Sequence, residues 1–122
     1  MKKYYLEDVA DIYSGATPLT KEKGYYEGGT ISWITPKDLS GYNHKYIFEG
    51  RRNITEEGYQ SCATYKLPQG TVLFSSRAPI GYVAVAGKEL CTNQGFKSFV
   101  CNEELLHNHY LYYYLLFNRK KF

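Results

Sequence analysis

Residue pairs that could catalyse a reaction are few in this sequence. His107 and His109 resemble a metal-ligand pair, but residues two positions apart on a helix point about 200° apart around its axis, so their imidazoles are not expected to share a metal. Cys101 and His107 could form a nucleophile and its base near a predicted strand-to-helix junction. No neighbouring residue supplies an evident orienting group or oxyanion donor, so the sequence offers no good candidate for catalysis.

Adjacent carboxylates are explained without catalysis. Each pair falls in the first turn of a predicted helix, where the helix dipole favours negative charge; the pairs are Glu7/Asp8, Glu56/Glu57 and Glu103/Glu104. The sequence has no G-x-S-x-G elbow, no phosphate-cradling glycine loop with its Lys-Ser/Thr, and no H-E-x-x-H motif. We therefore expect neither an enzyme nor a bound cofactor or metal.

Cations and hydrogen-bonding side chains are concentrated in four loops. Such residues contact phosphate oxygens and base edges, because cations suit guanine and phosphate, amides suit adenine, and hydroxyls suit either. One such loop alone is more typical of a solvated turn with local capping hydrogen bonds, and four in one small chain weaken that explanation without excluding it. The candidate DNA-binding residues are Thr17, Lys21 and Lys23, then Thr35, Lys37, Asn43 and Lys45, then Ser76 and Arg77, and finally Asn93, Gln94 and Lys97.

Composition narrows the class of protein only partly. A chain of 122 residues fits one domain. Fifteen Lys and Arg against twelve Asp and Glu give a net charge of +3, too small to identify a nucleic-acid binder by charge alone. The 14 tyrosines suit a half-exposed surface where a partner docks, or packing across sheet faces. A tyrosine-rich module that binds protein or carbohydrate is therefore an alternative.

The cysteines and the N-terminal residues indicate where in the cell the protein is located. Cys62, Cys91 and Cys101 are odd in number and lack C-x-x-C spacing, which favours reduced thiols in a cytosolic protein. Carboxylates follow the first lysines closely, and no apolar run approaches the roughly 18 residues that span a membrane. We expect a cytoplasmic protein without a membrane partner.

Short elements must position the four loops. The helical spacing of Leu6, Val9, Ala10 and Tyr13 predicts an N-terminal helix that stops at Gly15. A long loop without a sustained period follows, in the sequence SGATPLTKEKGYYEGG. Long ordered loops in compact domains are often functional.

Further along, strands and capped helical turns are predicted. A brief strand in ISWI precedes Thr35, which caps a helical turn that has Pro36 at its first position. Thr55 caps a second turn, with Glu56 and Glu57 after it. The segments TVLFSS, GYVAVAG and GFKSFVC read as strands. The first two flank the turn that carries Arg77.

The C-terminal segment predicts a helix with Asn102 as its N-cap. Its wide apolar stripe should pack on the domain or on another helix, and it consists of Leu105, Leu106, His109, Tyr110, Tyr113, Leu116 and Phe117. Helices and short strands without βαβ alternation indicate an α+β fold. We expect one compact domain with a bent, partly antiparallel sheet, short helices and a C-terminal helix.

Five motifs stand in order along the chain: SGATP, WITPKDL, ITEEG, SSRAPIG and TNQGFK. In this order and with similar gaps they resemble the target recognition domain of the specificity subunit of type I restriction-modification systems. The resemblance covers nearly all of residues 5–117. Five ordered motifs are far more specific than any one of them.

The resemblance implies a compact domain similar to the DNA-recognition domain of some adenine methyltransferases. Such a domain reads one half of a bipartite target in double-stranded DNA, mainly through the major groove, while separate methyltransferase and restriction subunits methylate adenine and drive ATP-dependent cleavage. The chain would then be a recognition module and not an enzyme. Residues 1–104 would form the target recognition domain, and residues 105–122 the truncated start of the conserved spacer helix.

Two departures from the family pattern matter. A typical specificity subunit carries two recognition domains and two long helices, so a single domain would need self-association or a second specificity chain to read a whole site. A silent, truncated cassette is the alternative. Ala16 also stands where the family commonly has glycine, and Leu19 where a small polar residue is common. Both substitutions argue against a backbone approach to phosphate at that turn.

Motifs shared by a family that reads many DNA sequences cannot be what distinguishes those sequences. SSRAPIG and TNQGFK are therefore expected to serve folding or sequence-independent positioning. Arg77 and Lys97 would bind phosphate or anchor the loops. The less typical loop of residues 42–50 is expected to choose bases.

Overall fold

The computed structural model describes residues 9–77, 80–103 and 107–118. Eight strands lie in these ranges: β1 (Ala10–Tyr13), β2 (Ile31–Ile34), β3 (Tyr46–Ile47), β4 (Arg52–Ile54), β5 (Val72–Ser75), β6 (Val83–Ala86), β7 (Cys91–Thr92) and β8 (Phe96–Cys101). The described helices are α1 (Pro36–Leu39), α2 (Glu56–Gln60), α3 (Asn108–Asn118) and a 3-10 turn at Lys23–Tyr25. None of them is long and apolar enough to cross a membrane.

The strands form two sheets rather than one. The larger sheet has the order β1-β8-β5-β6-β3 and the smaller one β4-β2-β7. Pairing is antiparallel except between β3 and β6 and between β2 and β7. The chain passes from the smaller sheet to the larger one through residues 93–95, between β7 and β8. The predicted α+β class is confirmed, with its strands divided between two sheets.

Three apolar clusters make the core. The first joins the two sheets and includes Ile34 of β2, Leu73 of β5 and Phe96 of β8. The second fills the space between the larger sheet and α3, where Val72 and Leu111 lie. The third lies on the outer face of the smaller sheet, and consists of Tyr26, Trp33, Ile54 and Cys91.

The predicted hairpin around Arg77 is confirmed. All four residues of β5 are buried because both faces of this strand are covered, which explains its unbroken apolar sequence. Ser75 and Tyr82 close the turn, since the Ser75 amide donates to the Tyr82 carbonyl at 2.9 Å and the Tyr82 amide to Ser75 Oγ at 2.8 Å. Gly81 has φ +94°, a left-handed conformation that favours glycine.

Both predicted threonine caps are present. The Gly58 amide donates to Thr55 Oγ1 at 3.0 Å at the start of α2. At the start of α1, the Thr35 amide donates to Asp38 Oδ2 at 2.8 Å, which satisfies a backbone donor that the helix itself leaves unpaired. Local hydrogen bonds thus fix where these short helices begin.

The predicted N-terminal helix ends earlier than expected. Val9 is helical, but residues 10–13 form β1, which pairs antiparallel with β8 in the register Ala10 to Cys101 and Tyr13 to Ser98. Residues 1–8, which include Leu6, lie outside the described ranges. The edge of β8 would have unpaired backbone groups without β1, so this tertiary pairing overrides a weak helical pattern in residues 10–13.

The C-terminal helix exists, but its predicted boundary and buried face are wrong. It begins at Asn108, and Asn102 follows β8 instead of capping a helix. Leu111, Tyr112 and Leu115 are buried on the larger sheet. The predicted stripe is largely exposed at Tyr110, Tyr113 and Phe117, while Leu105 and Leu106 lie outside the described residues. Because this helix is apolar on nearly every side, its sequence cannot select the buried face.

Gly15 provides a test of the packing between the first loop and the strand connection. A Cβ on Gly15 would overlap the carbonyl oxygens of Thr92 and Asn93, whereas one on Gly24 would lie 3.7 Å from its nearest neighbour, Glu57 Oε2. Gly15→Ala is therefore expected to lower the free energy of unfolding in urea by about 1–3 kcal/mol. Gly24→Ala is the control and should change it little. Equal effects of the two substitutions would contradict the close packing.

Candidate nucleic-acid interface

The connection between β7 and β8 binds the first loop and the end of β2 through backbone hydrogen bonds. The Ala16 amide donates to the Thr92 carbonyl at 3.3 Å, and the Asn93 amide donates to the Ile34 carbonyl at 3.0 Å. These bonds use main-chain atoms, so they place the SGATP loop and the start of α1 beside residues 92–93 whatever the neighbouring side chains are.

The same connection also holds the turn that carries Arg77. The Gly95 carbonyl accepts from the Ser76 amide at 2.8 Å and from the Arg77 amide at 3.3 Å. Asn93 Oδ1 accepts from the Gly95 amide at 2.8 Å, which fixes the bend itself. Four loops distant in sequence therefore meet at residues 92–95.

A shallow groove of about 340 Å³ lies where they meet. It is lined by Thr35, Pro36, Lys37, Arg77, Asn93, Gln94 and Gly95. Thr17 lies at the edge of the groove, because its Oγ1 donates to Gln94 Oε1 at 2.6 Å. Ser76 also lies at the edge, because its amide donates to the Gly95 carbonyl. The structure thus brings seven predicted site residues together, namely Thr17, Thr35, Lys37, Ser76, Arg77, Asn93 and Gln94. We call this surface the polar groove.

The polar groove is cationic because Lys37 and Arg77 line it and none of its described lining residues is a carboxylate. Lys37 and Arg77 are exposed, whereas the neighbouring Asp38 is used internally, with Oδ1 accepting from the Arg51 amide at 3.1 Å and Oδ2 accepting from the Thr35 amide at 2.8 Å. Ion pairs in the described ranges join other residues, Lys66 with Glu56 and Lys88 with Glu49. Both groove cations are therefore available to an anion.

The amides of the polar groove have different uses. Asn93 contributes its Oδ1 to the bend, as described above, so it serves the fold. Gln94 is exposed, and acceptance of the Thr17 hydroxyl proton at Oε1 leaves its Nε2 group as a donor. The groove therefore presents donors and positive charge, which suits phosphate oxygens.

The other five predicted site residues lie elsewhere. Lys21 and Lys23 are exposed in the long loop, and Lys97 is exposed on β8. Asn43 lines a second pocket, and Lys45 Nζ lies 2.6 Å from His109 Nδ1 on α3. The predicted site is thus divided between the polar groove and separate surfaces.

The second pocket adjoins the polar groove across α1. Lys37 of α1 lines the groove, while Leu39, two residues on, lines the pocket together with Asn43. The hairpin spans both as well, because Arg77 lines the groove and Tyr82 lines the pocket. Residues 42–44 of the loop that was expected to choose bases therefore line a pocket that shares α1 and the hairpin with the polar groove.

Trp33 is a positioning residue that the motif analysis missed. Its Nε1 donates to the Ala16 carbonyl at 3.1 Å, so both backbone polar groups of Ala16 are engaged within the fold. A tryptophan in a short strand signals a buried anchor, but only the structure shows which loop it holds. The backbone at Ala16 is therefore not available to phosphate.

The prediction that His107 and His109 point apart is wrong. His107 precedes α3 instead of lying within it, the ring centroids are 5.2 Å apart, and the His109 amide donates to His107 Nδ1 at 3.2 Å. The described residues nevertheless contain no group of three or more side chains that could hold a metal. Burial raises the pKa of the Cys101 thiol to about 11, which disfavours the thiolate that nucleophilic catalysis requires.

Cys91 offers a test of thiol chemistry in this core. Burial raises the pKa of its thiol to about 11, so at pH near 8 the folded protein should hold about a hundredfold less thiolate than an unperturbed cysteine. Alkylation by iodoacetamide, followed by mass spectrometry, should therefore be at least about a hundredfold slower at Cys91 in the folded protein than in urea. Similar rates in both states would contradict the burial of this thiol.

Comparisons of sequence agree on one family. The model of the type I restriction modification DNA specificity domain matches residues 1–122. The chain is 48% identical over 108 residues to the type I restriction enzyme MjaIX specificity subunit of Methanocaldococcus jannaschii, covering 88% of this chain and 24% of that protein. It is 28% identical over 75 residues to the EcoR124I/EcoR124II specificity subunit of Escherichia coli, covering 62% and 18% respectively.

Solved structures show the same fold. A chain from a study of complex assembly and conformational transition of the type I R-M system matches with TM-score 0.73 and 25% identity, over 95% of this chain and 27% of that one. The HsdS subunit from Thermoanaerobacter tengcongensis matches with TM-score 0.69 and 24% identity, over 95% and 27%.

The fold and the site together define the class of this protein: it is a small α+β domain whose loops converge on a polar groove. The chain belongs to the type I restriction modification DNA specificity domain family, as a target recognition domain of the specificity subunit. It spans about a quarter or less of the length of the curated relatives that it matches.

Proposed function

We propose that this domain binds one half of a bipartite site in double-stranded DNA and directs methyltransferase and restriction subunits to it in the cytoplasm. The observation that carries the proposal is the convergence of four loops on a groove that has two available cations and, among its described residues, no carboxylate. Family membership supports the same function. The domain acts in recognition, and the chemistry belongs to the other subunits.

In this proposal the polar groove holds the DNA backbone. Lys37 and Arg77 contact phosphates as cations, and the Gln94 amide supplies a neutral donor. Such contacts set the position of the domain on the duplex without reading sequence. Residues 42–50 would read base edges while the groove binds the backbone, and the pocket that residues 42–44 line, on the same helix α1, supports this part of the proposal.

A complete bipartite site needs a second recognition domain. That domain is supplied by another part of the same protein, by a second copy of this chain or by another specificity chain. The exposed aromatic side chains on α3 favour contact with protein at that end of the domain; they are Tyr110, Tyr113, Tyr114 and Phe117. A silent cassette or a tyrosine-rich module for carbohydrate has no comparable support.

The groove cations provide the test of DNA binding. Arg77→Ala and Lys37→Ala should each weaken binding to duplexes of unrelated sequence by a similar factor, because phosphate contacts are sequence-independent. Each should also lower the slope of log K against log salt by about one. Fluorescence anisotropy with labelled duplexes at several salt concentrations measures both quantities.

Lys66→Ala is the matched control, because it removes the same charge from a position that is ion-paired to Glu56 of α2, outside the groove. It should leave the salt slope nearly unchanged. If Lys66→Ala lowers the slope as much as Arg77→Ala and Lys37→Ala do, the groove is not the backbone site. Absence of salt-dependent binding by the unsubstituted chain would overturn the proposed function.

A further inference from the structure

We infer that Lys45 is a positioning residue, which ties the loop between α1 and β3 to helix α3 through His109 and does not contact DNA. The inference rests on the proposed function, and it concerns residues 40–45, which we call the 40–45 loop. In this inference, helix α3 helps to hold a loop that is expected to choose bases. The sequence analysis grouped Lys45 with the DNA-binding residues, and the inference gives it a different role.

The contacts of Lys45 are all made within the domain. Its Nζ lies 2.6 Å from His109 Nδ1 and 4.6 Å from the centroid of the Tyr113 ring, with the Tyr112 and Tyr46 rings at 5.3 and 5.6 Å. An ammonium held between an imidazole acceptor and three aromatic rings is well stabilised without an anion. Lys45 therefore differs from the exposed Lys37 and Arg77, which lack such partners among the described residues.

The hydrogen bonds of His109 define its tautomer. Lysine donates only, so Nδ1 of His109 must accept from Lys45, and the remaining proton sits on Nε2. Nε2 lies 3.2 Å from the Tyr46 hydroxyl oxygen, which can accept that proton. A neutral imidazole on α3 thus contacts both Lys45, the last residue of the 40–45 loop, and Tyr46, the first residue of β3.

This bridge matters because the rest of the loop is weakly held. Tyr42, Asn43 and His44 are exposed, and a pocket of about 310 Å³ separates them from Tyr112 and Leu116 of α3. Backbone bonds fix the two ends, through the Tyr42 amide to the Leu39 carbonyl at 3.1 Å and the Val85 amide to the Lys45 carbonyl at 2.8 Å. The Tyr42 hydroxyl donates to the Tyr46 carbonyl, which closes the loop on itself but does not join it to α3. The Lys45–His109 contact is the polar side-chain tie described between this loop and α3.

Protonation of His109 would break the tie. Burial, then the charge of Lys45 and then that of His107, lower the pKa of His109, while Glu103 opposes them. Tyr46, Tyr112 and Tyr113 are the other titratable groups that face the contact. Because the folded protein binds the proton less readily than the unfolded chain, the stability from this contact is present above about pH 6.5 and is lost as the pH falls below that value.

The experiment starts from the whole 122-residue chain and a library of randomised DNA duplexes. Sequences enriched by the unsubstituted chain are compared with scrambled duplexes, and the ratio of the two affinities measures discrimination. Lys45→Met and His109→Leu should each lower this ratio about fivefold to tenfold without lowering the salt slope. The double variant should lose no more than either single one, because both remove the same contact.

Two conservative variants distinguish a positioning role of the Lys45–His109 contact from a general loss of folding stability. Lys45→Arg keeps the cation, and His109→Asn keeps an acceptor near Nδ1 but cannot titrate, so both should retain discrimination at about pH 8. As the pH falls below about 6.5, the unsubstituted chain should progressively lose discrimination and His109→Asn should not.

Two outcomes overturn the inference. If Lys45→Met lowers the salt slope by about one while His109→Leu has no effect, Lys45 binds a phosphate and positions nothing. If the library yields no enriched sequence, the proposed function fails, and the tie is then judged by a double-mutant cycle on urea unfolding. A coupling of about threefold or more in the unfolding equilibrium constant between Lys45→Met and His109→Leu supports the tie. Additive effects of the two substitutions on the free energy of unfolding refute it.

Discussion

The backbone of residues 92–95 organises this domain. Its carbonyl and amide groups bond to the first loop at Ala16, to the end of β2 at Ile34 and to the hairpin turn at Ser76 and Arg77. The same four residues carry the chain from the smaller sheet into the larger one. Because buried backbone groups must be paired, shifting this connection would unpair several segments at once. The polar groove exists because these segments cannot separate.

The segments around the polar groove are held mainly by the backbone. The motif TNQGFK and the turn after β5 hold the neighbouring loops through main-chain atoms, so these contacts do not depend on the loops' side chains. The 40–45 loop is attached differently, by backbone bonds at its two ends, by the Tyr42 hydroxyl to the Tyr46 carbonyl, and by Lys45, which contacts His109 and two tyrosine rings of α3. In the proposed role, its position relative to α3 therefore depends on Lys45 and His109.

Sequence patterns predicted the local features well. The Thr35 and Thr55 caps, the hairpin around Arg77 and the α+β class depend on short-range chemistry, which the sequence displays directly. Features that depend on tertiary contacts were not predicted from the sequence. Residues 10–13 became a strand because β8 offered an edge, and α3 buried Leu111 and Leu115 instead of Tyr110 and Phe117 because nearly all its faces are apolar. The contact of Lys45 with His109 of α3 joins residues 64 positions apart, so the sequence alone could not indicate it.

The central claim is that the polar groove binds the DNA backbone, and amide chemical-shift mapping by NMR tests it most directly. A duplex titrated into the isotope-labelled chain should shift the amides of Thr17, Lys37, Arg77 and Gln94 first, and these shifts should shrink as salt is added. Amides on α2, such as Glu57 and Gln60, lie outside the groove and should stay in place. Shifts centred on α2, with the groove amides unmoved, would contradict the account.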